Sequence, residues 1–542
     1  MNSSILYHIA KADFLERVRS RRFLVTLGLM IVVAYLFLPP LGASYITIDL
    51  DGYRGIYNSA WIGASVSLMI AIYMSFAFFF VVRGNLTRDY ETGVGQIVAA
   101  TQVKRRQLIL GKWFSNVAVL FAMAAILVIS AGALQFIRAE DTNLQIWQLV
   151  APFLVIVLPT MTLVAAFAVL FEVIPALRGG LGNIVFFVVW IIVLFPLGQG
   201  GSFIIDGMQD GVSESVAGHS GSSSCCLIFE SNAVDVLGRE LGTQKTFTWG
   251  GMAWTNENIL IHVATVVFAL GIITLAGFRF DRFSRTGYSA GRITRLMRWI
   301  SRNSGLDRLK QRATFAETDD TDVNSEPSLT HLTPLKTGSL GGRFGTLFTA
   351  ELKLALKGLP IWWYAGAIGF IVFGALAGDD VGREWVLPFA WIWPVLVWSK
   401  MGVRESENHM EALVLTAPRP LSRQLPAIFL TGLLIAVILG SGVLARLVIA
   451  GDMSAVASWV ATATFIPAAA IALGTWGQSA RLFQMVYLSV WYAGPMQGVG
   501  LFDFIGLKPD IPVDTNRVLT VVGVTAVLIV IGIAGRARQI RY

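Results

Sequence analysis

The chain has few of the residues from which soluble enzymes and secreted domains are built. Charged side chains make up only 14% of its 542 residues, and it contains five histidines and two cysteines. A soluble domain carries about 25% charged residues, so the composition excludes that class. The cysteines are the adjacent pair Cys225 and Cys226, which excludes a disulfide framework. Together with His219 they lack the spacing of zinc motifs, so we interpret them as buried thiols or a local redox pair.

The sequence also lacks the phosphate-binding loop of ATPases. The pattern G-x-x-x-x-G-K-[ST] occurs nowhere in the chain. Its nearest match, Gly111-Lys112, is followed by Trp113 and has Arg106 where the first glycine would stand. We therefore expect that this chain has no cofactor of its own and does not hydrolyse ATP alone.

Ionisable side chains are almost absent from the middle of the long apolar segments. Glu172, His262, Arg446 and Asp503 are expected near the ends of such segments, where their side chains can reach the headgroup layer. A proton- or ion-driven carrier needs buried ionisable groups at mid-membrane. The pattern therefore disfavours an ion-coupled secondary transporter, which we keep as the alternative interpretation.

Long apolar runs are what the chain contains instead. Hydrophobic residues make up 55% of it, and the mean hydropathy is +0.65. A helix of about 20 apolar residues crosses the ~30 Å hydrocarbon core of a membrane. Twelve runs qualify, which predicts an all-α membrane protein with twelve transmembrane helices. The runs are 22–41, 61–82, 114–137, 147–172, 180–198 and 257–278, then 360–378, 385–400, 425–450, 456–477, 482–504 and 517–535.

Lys and Arg residues indicate how these helices are oriented. They concentrate in the loops that lie inside the cell if the N-terminus is inside, which is the usual bias of membrane proteins. Both termini are therefore expected in the cytoplasm. The net charge of +8 follows from this topology and from attraction to anionic membrane lipid, so no nucleic-acid partner is implied. Residues 1–21 are polar, basic and amphipathic, unlike a cleavable signal peptide.

Two stretches of similar design divide the chain into halves. Arg88 and Glu91 have the same spacing as Arg404 and Glu407, and each pair lies between the second and third apolar runs of its half. The separation of about 316 residues is right for a duplicated six-helix unit. Parallel repeats imply a pseudo-twofold axis along the membrane normal, with any substrate path between the halves. The predicted domains are a first six-helix half at 1–280, a cytoplasmic linker at 281–342 that is basic and amphipathic and then disordered, and a second six-helix half at 343–542.

Two further similarities support the duplication. Amphipathic segments at 6–23 and 347–364 precede the first run of each half and are predicted to lie in the headgroup layer. The fifth run of each half carries a tryptophan followed by a proline, which should break or kink the helix. These residues are Trp190 with Pro196 and Trp491 with Pro495.

The stretch at 88–112 contains a short segment compatible with a helix. In its middle, Val94, Ile97, Val98 and Thr101 fall on one face at helical spacing. Acidic residues precede this segment and basic residues follow it, which suits the helix dipole. A helix with an apolar face outside the bilayer has to bury that face. It either rests on membrane lipid or fits a groove on a cytoplasmic partner, and two copies suit a dimeric partner.

The two stretches resemble the coupling-helix signature of ABC-2-type exporter permeases, which are membrane subunits of ATP-binding cassette transporters. In the first half the resemblance is carried by Glu91-x-Gly93, Ala99-Ala100-Thr101-x-Val103-x-x-Arg106 and Gly111-Lys112. In the second half it is carried by Glu407 and by Thr416-Ala417-Pro418-Arg419-Pro420-Leu421-Ser422-Arg423. The second copy departs from the pattern at Asn408-His409 and lacks the final Gly-Lys, so the halves are expected to couple unequally.

The resemblance implies a permease that works with two ATP-binding cassette ATPase subunits, a homodimer or a heterodimer, in a bacterial or archaeal cell membrane. Those subunits would bind ATP and magnesium, an accessory subunit could join them, and a hydrophobic, lipid-like or peptide cargo would leave the cell. The implied coupling residues are Arg88, Glu91, Gly93, Ile97, Thr101, Arg106, Arg404, Glu407, Leu413, Thr416 and Arg423. A membrane enzyme acting on lipid or glycan is the least favoured hypothesis.

The loop at 199–256 is the largest external element. It is rich in Gly and Ser and then becomes apolar and aromatic. We favour a lid of re-entrant and interfacial helix with tryptophans at headgroup depth, and a gate or substrate contact at the outer mouth is the alternative.

Overall fold

The computed structural model describes most of the chain outside its longest loops. The described residues are 3–41, 47–50, 53–194, 206–208, 210, 212–213, 225–226, 245–280, 344–408, 410–411, 420–496, 502–507 and 513–541. The predicted linker at 281–342 lies outside them, and so do His219, Leu413 and Thr416. Glu91, Cys225 and Cys226 are described only in their backbone.

Helices dominate the described part of the chain and make it an all-α membrane protein with one small sheet. Within this part, seven helices are long and apolar enough to cross a membrane. They are Ser59–Tyr90, Arg105–Arg138, Ile146–Val173, Asn256–Arg279, Leu421–Ile449, Met453–Gly477 and Thr515–Ile540. An eighth candidate is the pair Phe344–Leu356 and Ile361–Leu376, whose axes are bent by 106°. The chain is therefore a multi-pass membrane protein.

Shorter helices occupy the other four predicted runs, and the run at 482–504 contains Ala480–Trp491 followed by the π-helical turn Tyr492–Met496. Thr26–Phe37 and Gly180–Val193 are apolar but shorter than a full crossing. The run predicted at 385–400 is divided into Leu387–Ile392 and Val395–Trp398. Pro394 lies between these two helices. Proline lacks the backbone N–H group that would continue the first helix, so that helix ends before it.

The helices are numbered along the chain. Those before the predicted linker are α1 (Ser3–Val18), α2 (Arg21–Phe37), α3 (Ser59–Met69), α4 (Ser75–Val82), α5 (Asn85–Glu91), α6 (Val94–Ala100), α7 (Arg105–Arg138), α8 (Ile146–Pro152), α9 (Leu158–Val173), α10 (Gly180–Val189) and α11 (Asn256–Arg279). Those after it are α12 (Phe344–Leu356), α13 (Ile361–Leu376), α14 (Asp379–Val381), α15 (Leu387–Ile392), α16 (Val395–Trp398), α17 (Arg404–Glu407), α18 (Pro420–Ile449), α19 (Met453–Gly477), α20 (Ala480–Trp491) and α21 (Thr515–Arg541). Turns of π-helix join or extend several of them, at Ile70–Met74, Phe153–Val157, Trp190–Leu194, Gly382–Val386 and Tyr492–Met496.

Two glycines shape the segment between α4 and α7. Gly84, with φ of 103°, follows α4, and Gly93, with φ of 75°, separates α5 from α6. A residue with a Cβ is strained in this left-handed region, whereas glycine is not. The chain therefore turns twice here, and α5 and α6 form separate short helices before α7 begins.

A small sheet lies at the other end of α3 and α4. Its described strands are β1 (Asp49–Leu50), β2 (Tyr53–Gly55), β3 (Cys225–Cys226) and β4 (Lys245–Phe247), in the order β3-β1-β2-β4. β2 pairs antiparallel with β1 and parallel with β4, and β3 pairs antiparallel with β1. At about 1.5 Å per residue, the helix from 59 to 82 separates the sheet from α5 by roughly 36 Å. The described parts of the loop at 199–256 thus include two strands, which sequence analysis did not predict.

Aromatic side chains hold β4 and the residues after it against α3. Trp61 meets Phe247 and Trp249 edge-on, with ring centroids 5.7 and 6.2 Å apart. The side chain of Asn58, which caps α3, donates to the carbonyl of Trp249 at 2.8 Å. The loop before α11 is therefore fixed to the first turn of α3.

An ion pair stabilises the same end of the molecule. Arg54 of β2 donates to the carboxylate of Glu140 at 2.6 and 2.9 Å, and Glu140 also accepts the N–H of Tyr57 at 2.7 Å. Burial by itself raises the pKa of Glu140, but the hydrogen bonds from Arg54 and Tyr57 outweigh it and hold the pKa below its ordinary value.

We expect this ion pair to make the stability of the sheet decrease as the pH is lowered. Because the folded pKa of Glu140 is lowered, its contribution is present above the unfolded value and is lost as the pH falls through the folded value. Glu140→Gln should therefore lower the thermal unfolding midpoint at neutral pH and flatten its fall in acid. The control is Asp380→Asn, which removes an exposed carboxylate. Parallel midpoint-against-pH curves for wild type and Glu140→Gln would contradict the prediction.

Candidate partner-binding site

Helix α6 presents an apolar face that the rest of the described chain does not cover. Val94 is 45% exposed and Ile97 is 69% exposed, whereas Val98 packs against the core. Thr101 ends the helix, and its hydroxyl donates to the carbonyl of Val98 at 2.7 Å. The structure thus contains the predicted short helix, but the large apolar side chains that it exposes are Val94 and Ile97, without Val98.

A buried carboxylate fixes the start of α5. Glu172, at the end of α9, is 2% exposed and accepts hydrogen bonds from four successive backbone N–H groups. The distances are 2.6 Å from Gly84, 3.3 Å from Asn85, 2.6 Å from Leu86 and 3.1 Å from Thr87. The first N–H groups of a helix have no intrahelical acceptor and attract negative charge, so this contact satisfies them and binds α5 to α9.

This role corrects the prediction that Glu172 reaches the headgroup layer from the end of a span. Asp503 is corrected in the same way, because it is 4% exposed, pairs with Arg517 at 2.9 Å and accepts the N–H of Gly506 at 3.0 Å. His262 is also buried, at 5% exposure. These three groups lie inside the protein because neighbouring helices supply surroundings that lipid would not.

A polar network centred on Lys112 joins α1, α5 and α7. The ammonium group of Lys112 lies 2.8 Å from Asp13, 2.8 Å from Asp89 and 2.9 Å from the side-chain oxygen of Asn85. Asp13 also accepts the hydroxyl of Ser115 at 2.5 Å. Each of the three charged side chains is less than a tenth exposed. We call these five residues the Lys112 network.

The ion pairs of this network affect the protonation of Asp13, which lies on α1. Burial alone raises the pKa of this carboxyl, but the positive charges of Arg17 and Lys112 outweigh it, and the net direction is downward. Gly111 completes the joint, because a Cβ at this position would lie 2.6 Å from the side chain of Ile9. The Gly111-Lys112 pair of the sequence motif therefore docks α1 onto α7.

The arginine of each sequence stretch pairs with the amphipathic helix that precedes it. Arg88 pairs with Glu16 on α1, and both side chains are about half exposed. Arg404 pairs with Glu351 on α12 at 3.1 Å and is more buried. The two arginines are thus placed alike, and each holds an amphipathic helix to the short helix at the end of α4 or α16.

The acidic residue after each arginine contacts a buried base. Asp89 binds Lys112 of α7, whereas Glu405 binds Arg536 of α21 at 3.2 Å and accepts from Gln424 at 2.7 Å. Arg536 is 1% exposed. Lys112 lies on the helix that follows α6, whereas Arg536 lies on the last helix of the chain. The equivalent ion pairs therefore connect different helices in the two parts of the chain.

The remaining residues implied by the resemblance do not form one cluster. The guanidinium of Arg106 lies 4.2 Å from the ring centre of Phe278 on α11. The carboxylate of Glu407 accepts the N–H of Ala480 at 3.3 Å, at the start of α20. Arg423 is exposed on α18. Arg106 and Glu407 therefore contact helices that lie far from them in sequence, whereas Val94 and Ile97 face outward.

Sequence reasoning missed the residues that support α5 and α17. They are Asp13, Asp89, Lys112, Glu172, Glu351, Glu405 and Arg536. One signal was available, because Lys112 and Glu172 lie within otherwise apolar helices, where an unpaired charge is costly. Their partners could not be read from the sequence.

The described side chains show no group of three or more His, Cys, Asp or Glu residues that could hold a metal ion. No model of a known protein family matches the chain, and no curated protein matches it. The geometry therefore carries the functional argument.

Proposed function

We propose that this chain is the membrane-spanning permease of an ABC-2-type ATP-binding cassette exporter, driven by two ATPase subunits on separate chains. It would move a hydrophobic, lipid-like or peptide cargo out of the cell. The observation that carries the proposal is α6, a short helix with an exposed apolar face. It follows α5, which buried polar contacts with Glu172 and Lys112 hold in place. Exposed apolar patches mark surfaces that meet another protein or the membrane, and the presence of two stretches of the same design favours a dimeric protein partner.

Helix α5, which precedes α6, is suited to transmitting movement from α6 to the membrane helices. Glu172 binds α5 to α9, and Lys112 binds it to α1 and α7. A partner that displaces α6 would therefore displace the ends of three helices together. Chains of packed and hydrogen-bonded side chains of this kind can carry conformational coupling between a binding site and the element that moves.

We propose further that the chain has twelve spans arranged as two six-helix halves. Support comes from equivalent hydrogen bonds in the two parts of the chain. The indole N–H of Trp190 donates to the carbonyl of Ile72 at 3.0 Å, and that of Trp491 donates to the carbonyl of Pro388 at 2.9 Å. Ile72 and Pro388 are separated by the same 316 residues as Arg88 and Arg404.

The contact between α10 and α20, which we call the seam, also supports this arrangement. Asn183 of α10 donates to Gln484 of α20, and 301 residues separate them. Trp190 and Trp491 have this same separation. A residue that meets its own equivalent lies on a twofold axis. The Asn183–Gln484 contact therefore suits a pseudo-twofold axis between the proposed halves.

The docking of the ATPase can be tested at Ile97. Ile97→Glu places a charge on the exposed face of α6, and a buried charge without a partner is costly at an interface. We expect ATPase binding to weaken by about 3 kcal/mol, roughly a hundredfold, and stimulated ATP hydrolysis to be lost. The measurement uses the purified full-length chain and an ATP-binding cassette ATPase selected because it co-purifies with the wild-type chain.

The control is Val381→Glu. Val381 lies on α14, beside the C-terminal end of α18, and is 44% exposed. This control should leave ATPase binding unchanged. Equal binding by Ile97→Glu and wild type would contradict the docking role. Cargo movement that follows an ion gradient without any ATPase would instead support the secondary-transporter alternative.

A further inference from the structure

The start of α10 has the features of an anion site. The chain reads Arg178-Gly179-Gly180-Leu181-Gly182 here, and α10 begins at Gly180 without a hydrogen bond from any described side chain to its first turn. The leading N–H groups of a helix lack intrahelical acceptors and carry partial positive charge. Glycines next to them allow a phosphate or carboxylate to approach the backbone closely.

A second observation places a buried cation at the same point. The guanidinium of Arg83 donates through Nη2 to the carbonyls of Leu177 and Gly179, and a Cβ on Gly182 would lie 2.7 Å from that atom. Arg83 is 5% exposed, and its Nε and Nη1 atoms have no hydrogen-bond partner among the described residues. A positive charge beside a helix N-terminus is unfavourable unless an anion joins them.

A second arginine reaches this position from α20. Arg481 donates through Nη1 to the carbonyl of Arg83 at 3.2 Å. A Cβ on Gly84 would lie only 2.1 Å from the same nitrogen, so Arg481 packs directly on this turn. The nearby carboxylate of Glu172 has both oxygens engaged by the N–H groups that begin α5. Arg83 therefore contacts the start of α10 through its side chain and Arg481 through its backbone carbonyl, and the carboxylate of Glu172, whose charge also acts on Arg83, is hydrogen-bonded to the N–H groups of α5.

The surroundings indicate an amphiphile. Gly179 is exposed, with no atom within 4 Å of the position of a Cβ, whereas Leu396 and Gln484 cover Gly180, so a ligand can approach the start of α10 at Gly179. Further along the seam the side chains are aromatic. Phe187 lies 5.9 Å from Trp491, and Trp190 lies 4.8 Å from Tyr492, measured between ring centres. The cationic end of the seam thus continues into an apolar one.

We propose that the first turn of α10, with Arg83 and Arg481, binds the phosphate group of an anionic amphiphile at one end of the seam. As the headgroup site of a cargo, this inference rests on the proposed function, which it deepens by naming the chemical class. The site also contacts α5. Arg178, which precedes its glycines, donates to the backbone carbonyl of Glu172 at 2.6 Å and lies 4.7 Å from the ring centre of Tyr90.

The decisive variant is Gly179→Asp. Gly179 is the N-cap residue of α10 and has φ of −83°, a conformation that any residue adopts. Aspartate is a preferred N-cap, so its carboxylate should cap the helix and occupy the anion position without loss of stability. Gly179→Ala is the matched control, because it adds a Cβ in open space and leaves the charge unchanged. Arg481→Gln removes one cation from the same site.

The test measures binding to the purified chain without any ATPase, so its outcome is independent of the ATPase test at Ile97. The probes are phosphatidylcholine nanodiscs with and without phosphatidylglycerol, and inorganic phosphate added in detergent. Binding is read as the shift in thermal unfolding midpoint. We expect phosphatidylglycerol to stabilise wild type and Gly179→Ala, and the affinity to fall by about tenfold or more in Gly179→Asp and Arg481→Gln.

A response to phosphatidylglycerol alone assigns the site to a lipid headgroup, and an equal response to inorganic phosphate assigns it to free phosphate. Either response supports the site if Gly179→Asp removes it. Stabilisation of Gly179→Asp equal to that of wild type would overturn the proposal, as would no response of wild type to either probe.

Discussion

Lys112→Met is expected to lower the free energy of unfolding by about 3–5 kcal/mol, the typical cost of removing one partner from a buried ion pair. The ammonium group lies 2.8 Å from both Asp13 and Asp89, so methionine removes this cation from two buried carboxylates, of which Asp13 keeps its ion pair with Arg17. Methionine fills much of the same volume, which keeps the loss electrostatic. We expect α1 to detach from α7 and α5 to lose its fixed position.

The loss can be measured by thermal unfolding in detergent and by the rate of tryptic cleavage within α1. Lys353→Met is the matched control, because it removes an exposed lysine from α12. A variant in which Lys112, Asp13 and Asp89 are all replaced by apolar residues should recover much of the stability, since the three buried charges of the Lys112 network are then removed together. If Lys112→Met and Lys353→Met unfold alike, the Lys112 network does not hold α1.

Glu172→Gln is expected to cost about 2–3 kcal/mol, because a neutral amide replaces a carboxylate that accepts four N–H groups at the start of α5. Its Nε2 group would also face N–H donors that need an acceptor. The effect should be local to α5 and α6. If these helices transmit the action of an ATPase, stimulated ATP hydrolysis should fall with the same variant.

Local opening of α5 and α6 can be followed as tryptic cleavage after Arg88 and Lys104. At 1.4 kcal/mol for each factor of ten, cleavage should become roughly 30- to 100-fold faster when it reports the open population. Glu257→Gln is the control, because Glu257 lies in the first turn of α11 but is exposed. An exposed charge at a helix N-terminus is worth about 0.3–1 kcal/mol. Equal effects of the two variants would contradict the capping role of Glu172.

Local patterns in the sequence predicted part of this site. The spacing of Val94 and Ile97 predicted a helix with an apolar face, and α6 is that helix, because helical periodicity depends only on neighbouring residues. Thr101 also fits the periodicity, but it caps the helix, since its hydroxyl bonds the backbone instead of extending the face. The ion pairs of Arg88 with Glu16 and of Arg404 with Glu351 were not predicted, because both partners lie on helices distant in sequence.

The interpretation of charged groups near span ends was less successful. Glu172 and Asp503 were expected to reach the headgroup layer, and both are buried with protein partners. A run of apolar residues does not reveal which of its faces meets lipid and which meets another helix. The small sheet was missed for a related reason, since each of its described strands has only two or three residues and gives no alternating pattern.

The sequence by itself determined that this is a helical, multi-pass membrane protein. Crossing hydrocarbon requires about 20 consecutive apolar residues, and that requirement is met or failed within each run of the chain. Only the tertiary structure decided which buried charges are compensated. Lys112 meets Asp13 from 99 residues away, and Arg481 reaches the turn after α4 from 398 residues away. Such pairs depend on how distant helices pack, and an ion pair in a protein interior is decided by distances of a few ångströms that no local pattern encodes.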